Sequence, residues 1–555
     1  MHNNAQQKPQ ISDIPLYSVD MFDHSVDENG VHDFFWPVLH SEITETATDF
    51  LHQSAALLKQ APDNDQTAQI YKLAMKYFVA QFGGILQASL VKKRFEDAGM
   101  KPVAPDEWLI YPYVFADTAP PMPAFIQKLK NPKIKQSLIK RLSRPARILK
   151  ILKKMSLKPQ TLSIDGLKLK PLTNDVLKNA IIATQRTPLI VEHAACVTQD
   201  VVFSNTQRWF KNITDDEMVI HDKARHHKTE GALLKICDTL FTAHNLMIPP
   251  YLHTHLQDYL GALFAALRIH YTRLLQMDSL PRTVWTGTGG NIWDLILRLA
   301  VKQADGHVTG HDHGGGSGHV NVPIVGYIEL WACDEFVTFN KKQAELYNEA
   351  QKYWPILDKM PPIVSGIKRE TKALTDLDAH KKTKNKPIKT ILLLATLYDR
   401  DRGRGAAFYP DIIYTDWQAR LIAHLQKSGY KVLFKPHPES QITPHKGVRD
   451  MGDIEIINGL FSDIKQPVDL ILFDFTRTTV FLEALKTDTP IVLIDFDSLP
   501  WHDNAKELCA KRCGFVEGHF DENNRVCVDW DKVDAAIGDA PAKRYNRELL
   551  ETFYD

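Results

Sequence analysis

Four clusters of chemically capable side chains stand out in this 555-residue sequence, and each falls where an apolar run ends. The first is His311-Asp312-His313-Gly314-Gly315-Gly316-Ser317-Gly318-His319. Three successive glycines leave backbone N–H groups open to the close approach of an anion, and a histidine at a strand end exchanges a proton near neutral pH. Two other readings stay open: a metal site drawing on His311, Asp312, His313 and His319, and a glycine loop with incidental histidines. The second cluster is Lys435-Pro436-His437-Pro438-Glu439, directly after YKVLF. The prolines stiffen the turn around His437, and a rigid lysine and histidine there can hold a diphosphate or sugar-phosphate oxygen.

The third cluster runs Phe473-Asp474-Phe475-Thr476-Arg477-Thr478-Thr479, with Glu483 further on. A strand ends, hydroxyls gather and a helix begins, which suits a phosphate; Thr476 is equally placed to be a plain N-cap. Glu483 lies about one turn into the helix, where its carboxylate can accept from a ribose diol or simply face water. The fourth cluster, Leu397-Tyr398-Asp399-Arg400-Asp401-Arg402-Gly403-Arg404-Gly405, sets Arg400, Arg402 and Arg404 among glycines. Such a loop clamps phosphate or is merely solvated.

The elements that must carry these clusters alternate. RTVWTGT (282–288), DGHVTGHDH (305–313) and DEFVTF (334–339) predict strands, with helices at 291–304 and from Lys341. WLIYPYVF (108–115) and PLIVEHAA (188–195) also predict strands, being short, apolar and rich in β-formers. Residues 41–60 and 66–97 predict helices, as do ALLKICDTLFTAH and LQDYLGALFAALRIHYTRLLQM. A second alternation starts at TILLLAT (390–396), then a helix over 415–429 closed by Gly429, strands at 430–438 and 468–474, a helix at 477–487, the strand PIVLID (490–495) and a helical C-terminus. Between the two alternations lies KRETKALTDLDAHKKTKNKPIK, charged and poor in core residues. The expected fold is α/β: two Rossmann-like lobes facing a cleft, with extra N-terminal helices. An acceptor-side lobe spans 1–370, a charged linker 371–389 and a nucleotide-donor lobe 390–555, with ligands at strand carboxyl ends.

At this length the chain exceeds one core, and 44% hydrophobic with 24% charged residues is ordinary globular composition. Net charge is zero, so no global nucleic-acid footprint exists. Six cysteines without CxxC spacing fit a reducing cytoplasm and no thiolate zinc site. MHNNAQQKPQISDIP lacks a secretion-signal core, and no run of eighteen apolar residues occurs. One stretch is unusual: Lys128 to Lys158 holds twelve basic and no acidic residues, with leucines and isoleucines between them. This broken basic amphipathic pattern suits an anionic membrane surface or a solvated basic face. The expected location is cytoplasmic, peripheral at most.

Together these motifs resemble GT-B-fold enzymes of bacterial surface polysaccharide synthesis, including capsule and Kdo- or sialic-acid-type transferases that use CMP-sugars and CDP-glycerol glycerophosphotransferases. The likeness is carried by RTVWTGTGGNIWDLILRLAVKQADGHVTGHDHGGGSGH, by KPHP, and by the strand–Asp–threonine–Glu helix; it covers roughly 280–500, and residues 1–270 carry none of it. It implies that His313 is the catalytic base, that His437 contacts donor phosphate, and that Thr478, Thr479 and Glu483 hold the donor's phosphate and ribose. Lys435, Thr476, Arg400, Arg402 and Arg404 complete the donor set, with Gly314, Gly315 and Gly316 as the loop. Threonines stand where the family has serines, and Arg477 intrudes among them. The implied activity is metal-independent and cofactor-free transfer of a sugar from a nucleotide-sugar donor to a glycan or lipid-linked glycan. CDP-alcohol phosphotransfer and a non-catalytic nucleotide- or glycan-binding assembly protein are the alternatives.

Overall fold

The structure is a computed structural model and describes residues 14–15, 26–32, 34, 36–59, 65–99, 102–103, 113–114, 116–132, 162–164, 167–169, 173–222, 227–278, 280–312, 318–320, 329–350, 363–364, 387–396, 411–437, 446–449, 451, 454–459, 461, 464, 466–497 and 500–554. Four two-residue strands come first: β1 (Ile14–Pro15), β2 (Val26–Asp27), β3 (Gly30–Val31) and β4 (Pro102–Val103). The remaining strands build two separate large sheets and one small hairpin. β5 (Leu162–Ile164), β6 (Leu167–Leu169), β7 (Ile181–Ala183), β8 (Val201–Phe203), β9 (Thr283–Thr286), β10 (His307–His311), β11 (Glu335–Val337) and β12 (Ile363–Val364) form the first. β13 (Thr390–Leu394), β14 (Lys431–Lys435), β15 (Ile454–Ile456), β16 (Leu470–Phe473), β17 (Ile491–Asp495) and β18 (Gly514–Glu517) form the second.

The second sheet is parallel throughout, in the order β15-β14-β13-β16-β17-β18. Counted along the chain this is 3-2-1-4-5-6, the order of the doubly wound dinucleotide-binding sheet. Its strands are apolar on both faces, as parallel strands covered by helices must be. Leu392, Leu433, Ile471 and Phe473 pack with Phe481, Leu485 and Cys509 on one face. Ile391, Val432, Leu470 and Leu472 belong to the cluster holding Trp417, Leu421 and Leu425 on the other. Gly429, at φ +85°, closes the helix Asp411–Lys427 in the left-handed conformation that glycine tolerates.

The first sheet runs β12-β11-β10-β9-β7-β8-β6-β5, parallel except for the β5–β6 hairpin at its edge. Taken from β7, its order is 2-1-3-4-5-6, again doubly wound. The long helices Gln66–Asp97 and Pro250–Leu275 pack on each other beside it, joined by stacked rings of Tyr71 and Phe264 and of Phe78 and Tyr259. Two sequence expectations fail here. PLIVEHAA is a helix, Pro188–Cys196: Thr187 caps it by accepting from Ile190 N (3.3 Å), and Pro188 fills the first turn, where a missing N–H costs nothing. The strands β7 and β8 flank it instead. Of WLIYPYVF, residues 113–114 are helical and the rest lies outside the described residues.

The two units meet at strand carboxyl ends. Leu346, on the helix Lys341–Ala350, packs into the cluster of Phe473, Phe481 and Tyr554. The His319 ring lies 5.4 Å from that of Phe481, Asn340 Nδ2 donates to Tyr554 O (2.6 Å), and His502 N donates to His319 O (3.0 Å). Residues 26–36, although first in the chain, dock on the second unit. Val31 N donates to the buried Asp416 Oδ1 (2.8 Å), and Asn524 Nδ2 to Trp36 O (2.6 Å).

Candidate functional site

In a 3-2-1-4-5-6 sheet the crossovers leave in opposite directions from the first and fourth strands, opening a crevice beyond their carboxyl ends. Here these are β13, followed by Ala395 and Thr396, and β16, followed by Asp474 to Thr479. The arginine loop begins directly after Thr396; Arg400, Arg402 and Arg404 lie outside the described residues. The floor between the two strand ends is tied together. Tyr414 Oη donates to Asp474 Oδ1 (3.0 Å) and accepts from Thr396 N (2.7 Å), while Trp417 Nε1 donates to Asp474 Oδ2 (3.1 Å). Burial pushes the Asp474 carboxyl up to about 7, against the two hydrogen bonds that favour its ionised form.

The threonine cluster lies at this crevice, with one correction: the N-cap is Thr478, not Thr476. Thr478 Oγ1 accepts from Val480 N (3.3 Å), and Thr478 N donates to Thr476 O (2.7 Å). The helix Thr479–Leu485 has seven residues, so side chains and loop, not a long helix dipole, must supply any phosphate contact. Thr476 is buried, Thr478 half-buried and Thr479 exposed; Glu483 is half-buried. On the neighbouring strand β14, Lys435 is buried and its Nζ donates to Gly459 O (2.5 Å), leaving two of its three N–H groups for other partners. His437 follows two residues later, half-buried. Thus Lys435, His437, Thr476, Thr478, Thr479 and Glu483 all follow the ends of β14 and β16, which flank β13.

His313 and Gly314, Gly315 and Gly316 lie outside the described residues, so the pairing of His313 with His437 does too. The two described histidines of that motif are core residues rather than proton exchangers. His311 Nδ1 meets Thr286 O (3.2 Å), which as an acceptor requires the Nδ1–H form; its Nε2 then accepts from His193 Nδ1 (2.9 Å). Burial, followed by the neighbouring His193, drives His311 down to about 3, and burial does the same to His319, whose Nδ1 meets the Tyr554 hydroxyl. With those nitrogens engaged, His311 and His319 do not converge on an ion, and among the described residues no three His, Cys, Asp or Glu side chains group as metal ligands.

Across the seam, Asp312 is buried and accepts from Gln343 Nε2. Glu329 accepts from Thr288 Oγ1 (3.0 Å) and Gly289 N (2.7 Å). The half-buried Arg477 interacts electrostatically with Tyr347, Glu329 and Asp312; burial lowers its pKa and these three act against it. Burial, then Asp312, holds the Tyr347 phenol protonated.

The first sheet has its own switch point, between β7 and β9, and its glycine loop is already filled. Thr288 N donates to Gln185 Oε1 (3.1 Å), Gly289 N to Glu329, and Gly290 N to Thr288 Oγ1 (3.0 Å). Lys76 donates to Gly289 O; desolvation lowers its ammonium to about 7, with Glu329 opposing. The fully buried Arg298 grips Thr286 Oγ1 (2.8 Å), Glu329 O (3.1 Å), Trp331 O (3.3 Å) and Gly287 O (3.2 Å). A carboxylate therefore sits where a phosphate would, and the two crevices differ in sign: hydroxyl and cationic in the second sheet, anion-filled in the first. Sequence reading assigned no role to Asp474, Lys76, Arg298 or Glu329. For Asp474 a signal existed, a carboxylate closing an otherwise apolar strand. Lys76 carried one too, a lysine four residues after Lys72 within an apolar helix.

No family model matches this chain, and no curated protein matches it in sequence. Among the described residues no helix is long and apolar enough to cross a membrane.

Proposed function

We propose that this chain is a two-lobed transferase of the GT-B type, moving a sugar from a nucleotide-activated donor to a surface or capsular glycan acceptor without a metal ion. The single observation that carries the reading is the 3-2-1-4-5-6 sheet, whose switch-point crevice is flanked by Thr476 to Thr479 and by the start of the arginine loop. Donor phosphate meets Thr478, Thr479, Arg477 and His437, and Glu483 takes the ribose diol. Cationic and hydroxyl groups stabilise charge developing on the departing nucleotide. The acceptor enters from the first sheet, whose switch point excludes a second anion through Glu329, and His313 removes the proton of its hydroxyl. Fold alone does not establish chemistry, so the test is binding followed by turnover. In a thermal-shift panel of nucleoside mono- and diphosphates, a ligand at a hundred times its dissociation constant adds about 2.7 kcal/mol of stability. CMP or CDP is the expected hit. Donor turnover then separates sugar transfer from phosphate transfer, and binding without turnover identifies an assembly protein. No response to any nucleotide overturns the reading.

A further inference from the structure

Arg477 stands among the donor-side threonines, yet three groups of the opposite sheet share its field. The approach is geometric before it is electrostatic. The His319 ring, seven residues after Asp312, lies 5.4 Å from Phe481, four residues after Arg477. Leu346, next to Tyr347, packs in the same cluster as Phe481. Asp312 is buried and held by Gln343, itself fixed because Gln343 N donates to Asn340 Oδ1 (2.8 Å) and Phe339 N donates to Gln343 Oε1 (3.1 Å). The acid therefore cannot swing away, and charges withdrawn from water are poorly screened by salt.

We infer that Asp312 is a positioning residue that limits the affinity of the Thr476–Thr479 crevice for phosphate, by drawing on Arg477 from across the seam and repelling the incoming anion. This deepens the transferase reading and rests on it for its biological sense, since a transferase must release the nucleotide it produces. Both effects have one sign. A carboxylate near the crevice lowers the field that an anion meets, and it shares the guanidinium that would otherwise bind phosphate alone. Removing it makes binding tighter without making the reaction faster: product leaves more slowly, and interactions equal in ground and transition state do not raise turnover. Glu329 and the Tyr347 phenol differ from Asp312 in this respect. Glu329 is committed to Thr288 and Gly289, and the phenol stays uncharged.

The test uses the full-length chain and inorganic pyrophosphate, a probe that reads the anion site whatever base the donor carries. Asp312→Asn keeps an oxygen to accept from Gln343, and it is expected to bind pyrophosphate about tenfold more tightly, roughly 1.4 kcal/mol. Arg477→Met is expected to weaken binding about tenfold, and in that background the gain from Asp312→Asn should shrink to a few-fold, the non-additivity of a coupled pair. Once a donor is known, Asp312→Asn should lower KM and kcat together. Unchanged or weaker pyrophosphate binding by a cooperatively melting Asp312→Asn protein overturns the inference. So does an Arg477→Met protein that binds as wild type, a result that needs no Asp312 variant to fold. Failure of wild type to bind pyrophosphate at millimolar concentration overturns it as well. A nucleotide panel without response, alongside a tightened pyrophosphate site, instead sinks the transferase reading and leaves this inference standing.

Discussion

Replacing Asp474 by asparagine offers a quantitative probe of the crevice floor. The carboxyl lies in the protein interior between β13 and β16, and burial raises its pKa from an ordinary 3.8 to about 7. The folded state thus holds this proton more tightly than the unfolded chain. Its contribution to stability is fully present below about pH 4 and is lost as pH rises through 7. At roughly 1.4 kcal/mol per pH unit, the loss between those limits is at most about 4 kcal/mol. Asparagine carries no charge at any pH. It keeps one acceptor for Trp417 Nε1, and its N–H2 can turn toward Tyr414 Oη, for a cost of about 1 kcal/mol in a rearranged hydrogen bond. The variant is therefore expected to be slightly less stable than wild type at pH 5 and more stable at pH 8. Thermal melts at pH 5, 6, 7 and 8 read the crossover, with about 2–4 °C per kcal/mol for a unit of 150–250 residues. Every other titrating group is common to both proteins, so the difference between their curves isolates Asp474. Parallel curves across this range would refute the reasoning, because they would mean that the carboxyl is ionised throughout and its burial costs nothing.

Glu483→Ala should raise the dissociation constant for the bound nucleotide about ten- to a hundredfold, the loss of a charged hydrogen bond at roughly 1.5–3 kcal/mol; unchanged calorimetric affinity removes Glu483 from the site. Arg298→Met should destabilise the first sheet by about 3–5 kcal/mol, since it leaves Glu329 O, Trp331 O and Gly287 O without their buried charged donor; a melting temperature within a degree of wild type contradicts this. Charge removal across 128–158 should release the protein from anionic vesicles, each lysine or arginine contributing about 1 kcal/mol near such a surface. Residues 133–158 lie outside the described residues, and of the rest Lys130 pairs with Asp215. Wild-type protein that fails to sediment with anionic liposomes at low salt makes the segment an ordinary solvated face.

The α/β alternation was legible because it is written in local patterns. TILLLAT, VDLILFD and PIVLID are apolar without alternation, as strands buried on both faces are, and β13, β16 and β17 lie within them. The helix 292–303 sits inside the expected 291–304, and Gly429 closes its helix at positive φ. Where the pattern was short, local reading failed. PLIVEHAA has the composition of a strand, and only the Thr187 cap and Pro188, with β7 and β8 taking the sheet positions around it, make it a helix. Strand order was not legible at all, because parallel pairing joins segments by non-local hydrogen bonds that leave no periodic trace. The candidate site divides the same way. Residue type and position after a strand selected Lys435, His437, Thr476, Thr478, Thr479 and Glu483 from local sequence. Three-dimensional packing alone decided that β13 and β16 adjoin, that Asp474 loses water and holds its proton, that His311 and His319 are buried and neutral, and that Arg477 faces Asp312. Charge and solvation depend on what else occupies the surrounding volume, and in this protein that volume is filled by residues such as Lys76 and Gly289, 213 positions apart in the chain.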